Sequence, residues 1–573
     1  MFKKNNKHFQ IPLTSHVDEL PEKLRKGIED SWSGVFYRDF FCRINEGLFA
    51  VLYADCPSRP NIPVNVLVGL EFLKAGNGWT DEQLYEQFGY NVQVRYALGY
   101  RQLGEGYFEL RTLYNFRERL SRYMQETGIN LLDRAFAQVT DEQIDAYQVK
   151  TARQRMDSTQ VASNIRQTGR IQLLVTVLQR VHRMLTEKDQ AHYAETFEPY
   201  LKGHAGQYVY RMKREETNEH LQKIGELIHC LLVELKPAYG EEAVYQVLER
   251  VFHEHFQIEV DAVHSKPSDQ LSASSLQSPD DLEATYRNKR GQGYRGYTAN
   301  ITETCDPEND LQLVTKVQVE PNNVDDTKLL AEALPELTER TDLDTLYTDG
   351  SYSSPEMDKT LAEEQVELIQ TAIRGRKPSS EKLHLSDFEI KQTEEGKPTQ
   401  ITCPQGQHVK VHPSNRRKSF VAHFELDVCQ TCPFAAACPA KPGKRDPRRH
   451  LRLTQAQAYV AQRRKRNKIH LEESRNLRAA VEATVRQVKH PFPAGKLPVR
   501  GQFRVTCMMI GSGIMSNIRR IQRYRALKMQ KTNRMNTKID LESSQPSPFH
   551  LFLNGSIHSA MNYFVGRLSV FCC

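Results

Sequence analysis

Three acids in this chain sit where a carboxylate could meet a ligand. Asp157 lies in Arg155-Met156-Asp157-Ser158-Thr159 and Asp349 in Leu346-Tyr347-Thr348-Asp349-Gly350-Ser351, each at the end of a strand-like run and followed by small turn-forming residues. A carboxylate at the carboxyl end of a strand points into the crevice where open sheets bind ligands; an exposed aspartate capping its own loop is the ordinary alternative. Glu482 belongs to a helical stretch from about Ala456 to Val488. At ~100° per residue, Arg478, Glu482 and Lys489 fall within ~40° of one another, beside an apolar stripe of Leu477, Val481, Val485 and Val488. Such a helix can pack on a sheet and present Arg, Glu and Lys along one edge, although a surface salt-bridge ladder has the same spacing.

Glu482 also stands in the most basic part of the chain. Between Ala440 and Gln530 there are 23 Lys and Arg against four acids, Asp446, Glu472, Glu473 and Glu482, an excess of +19 in a protein whose total is +7. Charge segregated in this way marks a surface that lies on a polyanion, because each cation that neutralises a phosphate releases a condensed counterion. Runs such as Arg463-Arg464-Lys465-Arg466 are more often a solvated face, but an excess unrelieved by acids repels itself when no anionic partner is present.

A second constellation is Cys403-x25-Cys429-x2-Cys432-x5-Cys438. The pattern is compatible with a structural Zn²⁺ site that folds an insertion too small for a core of its own, with His408 or His423 able to replace one ligand; four reduced thiols have the same spacing. Cys42, Cys56, Cys230, Cys305 and Cys507 are scattered and read as buried small hydrophobes.

The elements that must position these residues are legible in outline. Residues from about Leu20 to Arg134 have helical periodicity. Within them Pro63 opens a helix, Gly76 to Gly78 turn the chain, Thr80 and Gln83 form a capping box, and Gly89 ends a second helix. That pair is compatible with a helix-turn-helix, but a plain αα-hairpin is the commoner origin of such a pattern. Ile144 to Val161 reads as the entry into a sheet, Ile171 to about Phe256 as a helical insertion, and Ser265 to Asp281 as a linker. Strands at Tyr294 to Thr304, Leu311 to Val319, Thr345 to Thr348 and Val366 to Ile373 then alternate with helices at Asp325 to Leu337 and after Ser354-Pro355, the grammar of an α/β or mixed sheet with helices on its faces.

At 573 residues and 39% hydrophobic composition the chain builds several soluble domains. No stretch approaches the ~18 to 20 apolar residues of a membrane helix, and the basic amino terminus has no apolar run behind it, so a cytoplasmic, nucleoid-associated protein is expected, with no membrane partner.

Taken together, Asp157, Asp349 and Glu482 resemble the acidic triad of the DDE transposases of bacterial insertion sequences. Relatives of this kind place the glutamate in a Tyr-x2-Arg-x3-Glu-x6-Lys signature; here the chain reads Arg475-x2-Arg478-x3-Glu482-x6-Lys489, with Arg in place of Tyr. A Gly-x-x-Arg-Val type segment follows as Arg500-Gly501-Gln502-Phe503-Arg504-Val505, and the resemblance covers roughly Leu20 to Arg525.

The resemblance implies an α/β, ribonuclease-H-like mixed sheet flanked by helices, with a helical N-terminal domain, a helical insertion and a cysteine-bearing insertion. The map is residues 1–140 as a helical DNA-binding domain, 141–170 and 282–377 as the catalytic core, 171–281 as helical insertion and linker, 378–455 as the cysteine-bearing insertion and candidate zinc-binding unit, 456–530 as the glutamate helix with the basic region, and 531–573 as a tail of unknown role. It further implies two Mg²⁺ (or Mn²⁺) ions ~4 Å apart, with Asp157 as shared ligand and Asp349 and Glu482 as one further ligand each. Arg475, Arg478, Lys489 and Arg500 would contact DNA. The implied activity is binding of double-stranded transposon ends and target by a homodimer or higher oligomer, then strand cleavage and strand transfer. A non-catalytic DNA-binding regulator and a Mg²⁺ nuclease without strand transfer are the alternatives.

Overall fold

The computed structural model describes residues 1–10, 15–54, 60–260, 262–289, 291–370, 381–393, 396–414, 419–443, 447–473 and 477–543. The chain divides into a first compact unit, Met1–Arg520, and a second, Ile521–Cys573. Among the described residues no helix is long and apolar enough to cross a membrane.

The main sheet consists of β1 (Arg153–Val161), β2 (Thr285–Lys289), β3 (Gln292–Thr304), β4 (Val314–Pro321), β5 (Thr345–Thr348) and β6 (Glu367–Gln370). Its central order is β4-β3-β1-β5-β6, with β2 paired to the first part of β3. β1, β3 and β4 run antiparallel to their neighbours, whereas β1–β5 and β5–β6 are parallel. An antiparallel meander joined to parallel strands by helical crossovers is the ribonuclease-H-like arrangement. Before it lie α1 (Val64–Asn77), α2 (Asp81–Tyr90), α3 (Leu110–Thr127) and α4 (Leu131–Tyr147); α5 (Arg170–Met184), α6 (Thr217–Tyr239) and α7 (Ala243–His255) are inserted between β1 and β2. α8 (Asp326–Arg340) and α9 (Pro355–Glu363) are the crossovers.

The packing explains why these stretches form these elements. Leu330, Leu334 and Leu337 of α8, Met357 and Leu361 of α9, and Met156 and Leu346 of the strands form one buried cluster under the sheet. Each buried Leu or Met contributes ~1.5–3 kcal/mol relative to exposure. α1 is buried almost all round, from Val64 to Leu70 and from Phe72 to Gly76. It crosses the long C-terminal helix at two glycines.

Downstream of the core, β7 (Glu389–Gln392), β8 (Pro398–Thr402), β9 (His408–Pro413), β10 (Ser419–Phe424), β11 (Lys441–Pro442) and β12 (Arg449–Thr454) form a second sheet. α10 (Gln455–Glu473), α11 (Val481–Lys489) and α12 (Gln502–Ser543) complete the described chain. The crossing just mentioned is between α1 and α12: a Cβ on Gly76 would lie 2.0 Å from Met515, and one on Gly511 would lie 2.6 Å from Ala75. α12 also covers the edge of the sheet, since Asn517 accepts from Val314 N at 2.8 Å and donates to Val314 O at 3.0 Å, which leaves no free ladder groups there for another strand.

Several sequence expectations need correction. The sheet is entered at Arg153, because Ile144 to Tyr147 complete α4, which stops at a left-handed Gln148 (φ 52°). Asp157 is in the middle of β1, not at its end. β4 begins at Val314; Leu311 and Leu313 precede it, and Thr304 pairs with Leu313 across the turn. α2 ends at Tyr90, capped by Asn91, one residue past Gly89, while the Thr80–Gln83 capping box forms as expected. Residues 371–373 of the last expected strand lie outside the described residues.

The stretch Ala456 to Val488 is not one helix. Its described parts are α10, a 3-10 turn at Leu477–Ala480 and α11; α10 pairs its Asn467 with the backbone of Gln370 in β6, whereas α11 packs on β1. The cysteine-bearing insertion has a core of its own, built by Phe388, Ile390, Ile401, Phe424, Leu451 and Leu453. Of the scattered cysteines, Cys305 is buried, Cys42 and Cys507 are half-buried and Cys230 is exposed; Cys56 lies outside the described residues.

Within the helical insertion His255 is buried with neither ring nitrogen hydrogen-bonded. Burial, reinforced by Arg170 and Lys266, lowers its pKa to about 4. Since the folded state favours neutral imidazole, its contribution is complete above pH 6.5 and is lost as pH falls towards 4. Urea unfolding of wild type should therefore lose roughly 3 kcal/mol more between pH 7 and pH 4 than unfolding of His255→Leu; parallel losses would refute this.

Candidate active site

Register brings the two aspartates together. The parallel pairing of β1 with β5 covers only Arg153–Arg155, and its last pair is Arg155 with Tyr347. Asp157 and Asp349 each follow two residues later, so they leave the paired region level and on one face. The loss of a neighbour beyond Arg155 opens the crevice that the sequence reading placed at a strand end. Both residues line a cavity of about 1050 Å³ that also takes in Asp326, Glu482 and Lys489.

The floor is held by hydrogen bonds from small residues. Asp349 Oδ1 accepts from the backbone N–H of Ser351 at 2.8 Å and from its hydroxyl, and its carbonyl accepts from Gln370. Asp157 Oδ1 accepts from the Ser158 N–H at 3.1 Å. Beneath them the fully buried Tyr352 donates to Asn300 at 2.8 Å. Burial raises its pKa well above the ordinary value, and the carboxylates of Asp326, Asp157 and Asp349 raise it further. All three carboxylates thus lie within electrostatic reach of that phenol.

Asp326 was missed in the sequence. It is the first residue of α8, only 6% exposed, and accepts from the Ser158 hydroxyl at 2.8 Å. Its signal was an acid opening a helix, which normally serves the helix dipole and gives no hint of a cavity. Also missed was the β2–β3 hairpin, which contributes Arg287, Lys289, Tyr294 and Arg295 to the same cavity.

Glu482 and Lys489 lie on α11, at its first turn and its end. Glu482 is 55% exposed and forms a long contact of 3.9 Å with Arg486. Lys489 is half-buried, its pKa lowered by burial, and donates to the Thr159 hydroxyl at 3.1 Å and the Gln160 carbonyl at 2.9 Å. This fixes the lysine beside Asp157. The helix itself is held by Glu303 of β3, whose side chain is wholly buried. Glu303 accepts from Arg155 at 2.6 Å, from Thr484 of α11 at 2.7 Å and from Arg520 at 2.7 Å. Arg155 in turn donates to the carbonyl of Leu477 at 2.7 Å.

The remaining expected residues are not gathered at this cavity. Arg500 is exposed on its rear approach, donating to Asn164 O at 2.9 Å and pairing with Asp280 at 3.3 Å, and it lines other cavities. Arg475 lies outside the described residues, as does the side chain of Arg478, whose backbone is in the short turn Leu477–Ala480. Part of the basic field is internal: Arg463 binds Asp358 at 2.9 Å and Arg519 donates to Gly76 O at 2.8 Å. α2 carries Asp81, Glu82 and Glu86 and no Lys or Arg, and Asp81 is engaged by Lys74 and Arg117, both at 2.7 Å. The first two helices thus pack as a hairpin tied into their own domain.

Carboxylate oxygens are the donors that hard divalent ions prefer, so the cavity fits Mg²⁺ or Mn²⁺ by its chemistry. Cys429 sits within electrostatic reach of Cys403, Cys432 and Cys438, and these neighbours together with burial raise its thiol pKa. Among the described residues, however, no three His, Cys, Asp or Glu side chains are drawn together as a ready ligand set.

Sheet order and flanking helices together define an α/β protein with an acid-lined cavity. Residues 402–522 match the family model of a transposase DDE domain, and residues 35–119 match that of a transposase domain known as DUF772. The two matches support a DDE transposase of the insertion-sequence type. The DDE match includes Glu482 and Lys489 but neither aspartate. No curated protein and no solved structure matches the chain.

Because Glu303 joins β1, α11 and α12, Glu303→Gln should leave Arg155 and Arg520 uncompensated and destabilise the fold by ~3 kcal/mol or more in denaturant melts. Amide exchange in Val481–Lys489 should rise with it. Unchanged exchange there would show that the helix is held by apolar contacts alone.

Proposed function

We propose that this protein is a DNA transposase that binds insertion-sequence ends and carries out metal-dependent strand cleavage and strand transfer, with Asp157, Asp349 and Glu482 as its acidic triad. The supporting observation is that these three acids, remote in sequence, line one cavity beside a tethered lysine. Mg²⁺ or Mn²⁺ held by the triad would stabilise charge on the entering and leaving oxygens of an in-line displacement and lower the pKa of an attacking water. Ser158 and Ser351 orient the aspartates by donating to them or to their neighbour Asp326. Lys489 is placed to neutralise a phosphate oxygen next to Asp157, and the outward cations of α10 and α11 would hold flanking duplex. Two DNA ends and a target require more than one copy, so a dimer or higher oligomer on DNA belongs to this reading.

In the same reading the four cysteines hold a structural Zn²⁺. Because the second sheet already has an apolar core, that ion would fasten one corner and not fold the whole insertion.

Asp157→Asn, Asp349→Asn and Glu482→Gln should each reduce cutting and joining of end-sequence DNA in Mg²⁺ to below about a hundredth of wild type, the loss expected when several kcal/mol of charge stabilisation disappear. DNA binding in a gel-shift assay should survive. Cut DNA with no joined product would restrict the activity to a nuclease, and intact cutting in the variants would overturn the assignment. Metal analysis should find about one zinc per chain, lost in Cys432→Ser without global unfolding; zinc-free wild type would leave four free thiols.

A further inference from the structure

The cavity is lined by two chemically different sets of residues. One is acidic, and the other comes from the hairpin of β2 and β3. In that hairpin Arg287 pairs with Tyr294 and Lys289 with Gln292, and directly opposed residues of an antiparallel pair share a face. One face of the ribbon therefore presents two cations, an aromatic ring and an amide, and all four line the cavity of the carboxylates. None belongs to the basic stretch between Ala440 and Gln530.

We propose that this face is a guide for an unpaired DNA strand, with Arg287 and Lys289 holding phosphates and Tyr294 stacking a base next to the carboxylates. This deepens the transposase reading and rests on it for the identity of the nucleic acid. The face is built for the task. Arg287 is pinned by donating to the carbonyls of Asn322 at 3.2 Å and Val324 at 3.4 Å, in the loop that leads to Asp326. Tyr294 is half-buried and held by a 3.0 Å bond from its hydroxyl to Gln292. Lys289 is exposed and makes no ion pair among the described residues. Between these cations and the acids, a backbone can lie with its phosphates towards one set while the reacting phosphate faces the other.

Size argues for an unpaired strand. The cavity measures about 1050 Å³, near the upper end of small-molecule pockets at roughly 300–1,000 Å³. A nucleotide or two with bases splayed fills that volume. An aromatic ring among cations is also the recurring platform for single strands, because every base offers a π-face.

The test uses full-length protein in EDTA, so that binding is read without cutting, and fluorescence anisotropy with three labelled probes: a mixed-sequence blunt duplex, the same duplex with an unpaired overhang, and the single strand. Wild type should bind the overhang duplex tighter than the blunt one. Tyr294→Leu should erase that preference, a loss of roughly tenfold, while Tyr294→Phe retains it. Lys289→Gln should weaken the overhang complex and lower the slope of log affinity against log salt by about one. Absence of an overhang preference in wild type, or its persistence in both Tyr294→Leu and Lys289→Gln when their melting curves match wild type, overturns the proposal. Asp349→Asn separates the two readings: if it cuts DNA normally yet prefers the overhang, the triad assignment fails and the strand guide stands.

Discussion

A single buried carboxylate organises the distance between the acids. Glu303 is in the interior of β3, and its two oxygens are divided among Arg155 of β1, Thr484 of α11 and Arg520 of α12. Arg155 is two residues before Asp157, and Thr484 is two residues after Glu482. Strand and helix are therefore clamped to the same group within one turn of the residues they present. A buried ion pair of this kind contributes little net stability over an apolar substitute, since desolvation offsets the attraction. What it supplies is geometry: two arginines and a threonine meet the lone pairs of one carboxylate in one arrangement, so helix α11 cannot slide along the sheet as a purely apolar face could.

The cavity brings both signs of charge to one opening. Asp157, Asp326, Asp349 and Glu482 line it together with Arg287, Lys289, Arg295 and Lys489. Small residues orient the aspartates: the Ser158 N–H donates to Asp157, the Ser158 hydroxyl to Asp326 and the Ser351 N–H to Asp349. Lys489 donates to the Thr159 hydroxyl and the Gln160 carbonyl, which tethers its ammonium to the strand that carries Asp157.

How much of this was legible in the sequence depends on whether the information was local. Thr345–Thr348 and the Thr80–Gln83 capping box could be read because β-branched runs and cap residues act over a few positions. The alignment of Asp157 with Asp349 was not readable, since it depends on a register set by strand pairing. The expected single helix through Glu482 failed because periodicity cannot reveal that two segments have different partners, β6 for α10 and β1 for α11. Asp326 and the hairpin cations look like ordinary surface charges until the fold places them at a shared opening. The charge count misled in the other direction: Arg463, Arg519 and Arg520 all add to the basic excess, yet each is spent on an internal acceptor.

The same logic connects the N-terminal helices to the core. α12 meets α1 where Gly76 and Gly511 let the backbones approach, and Arg519 closes the contact on the Gly76 carbonyl. One turn along the same helix Asn517 occupies both backbone groups of Val314, and Arg520 reaches Glu303. Three neighbouring residues thus bind the helical domain, the sheet edge and the clamp on the glutamate helix. Side chains on a stiff helix move together, so a shift of α1 that displaced Arg519 would also load the Arg520–Glu303 contact. The segment 35–119, which matches a transposase domain, and the segment 402–522, which matches the DDE domain, thus meet along α12, whose Gly511 and Arg519 side faces α1 while Asn517 and Arg520 on the other side hold the sheet edge and Glu303.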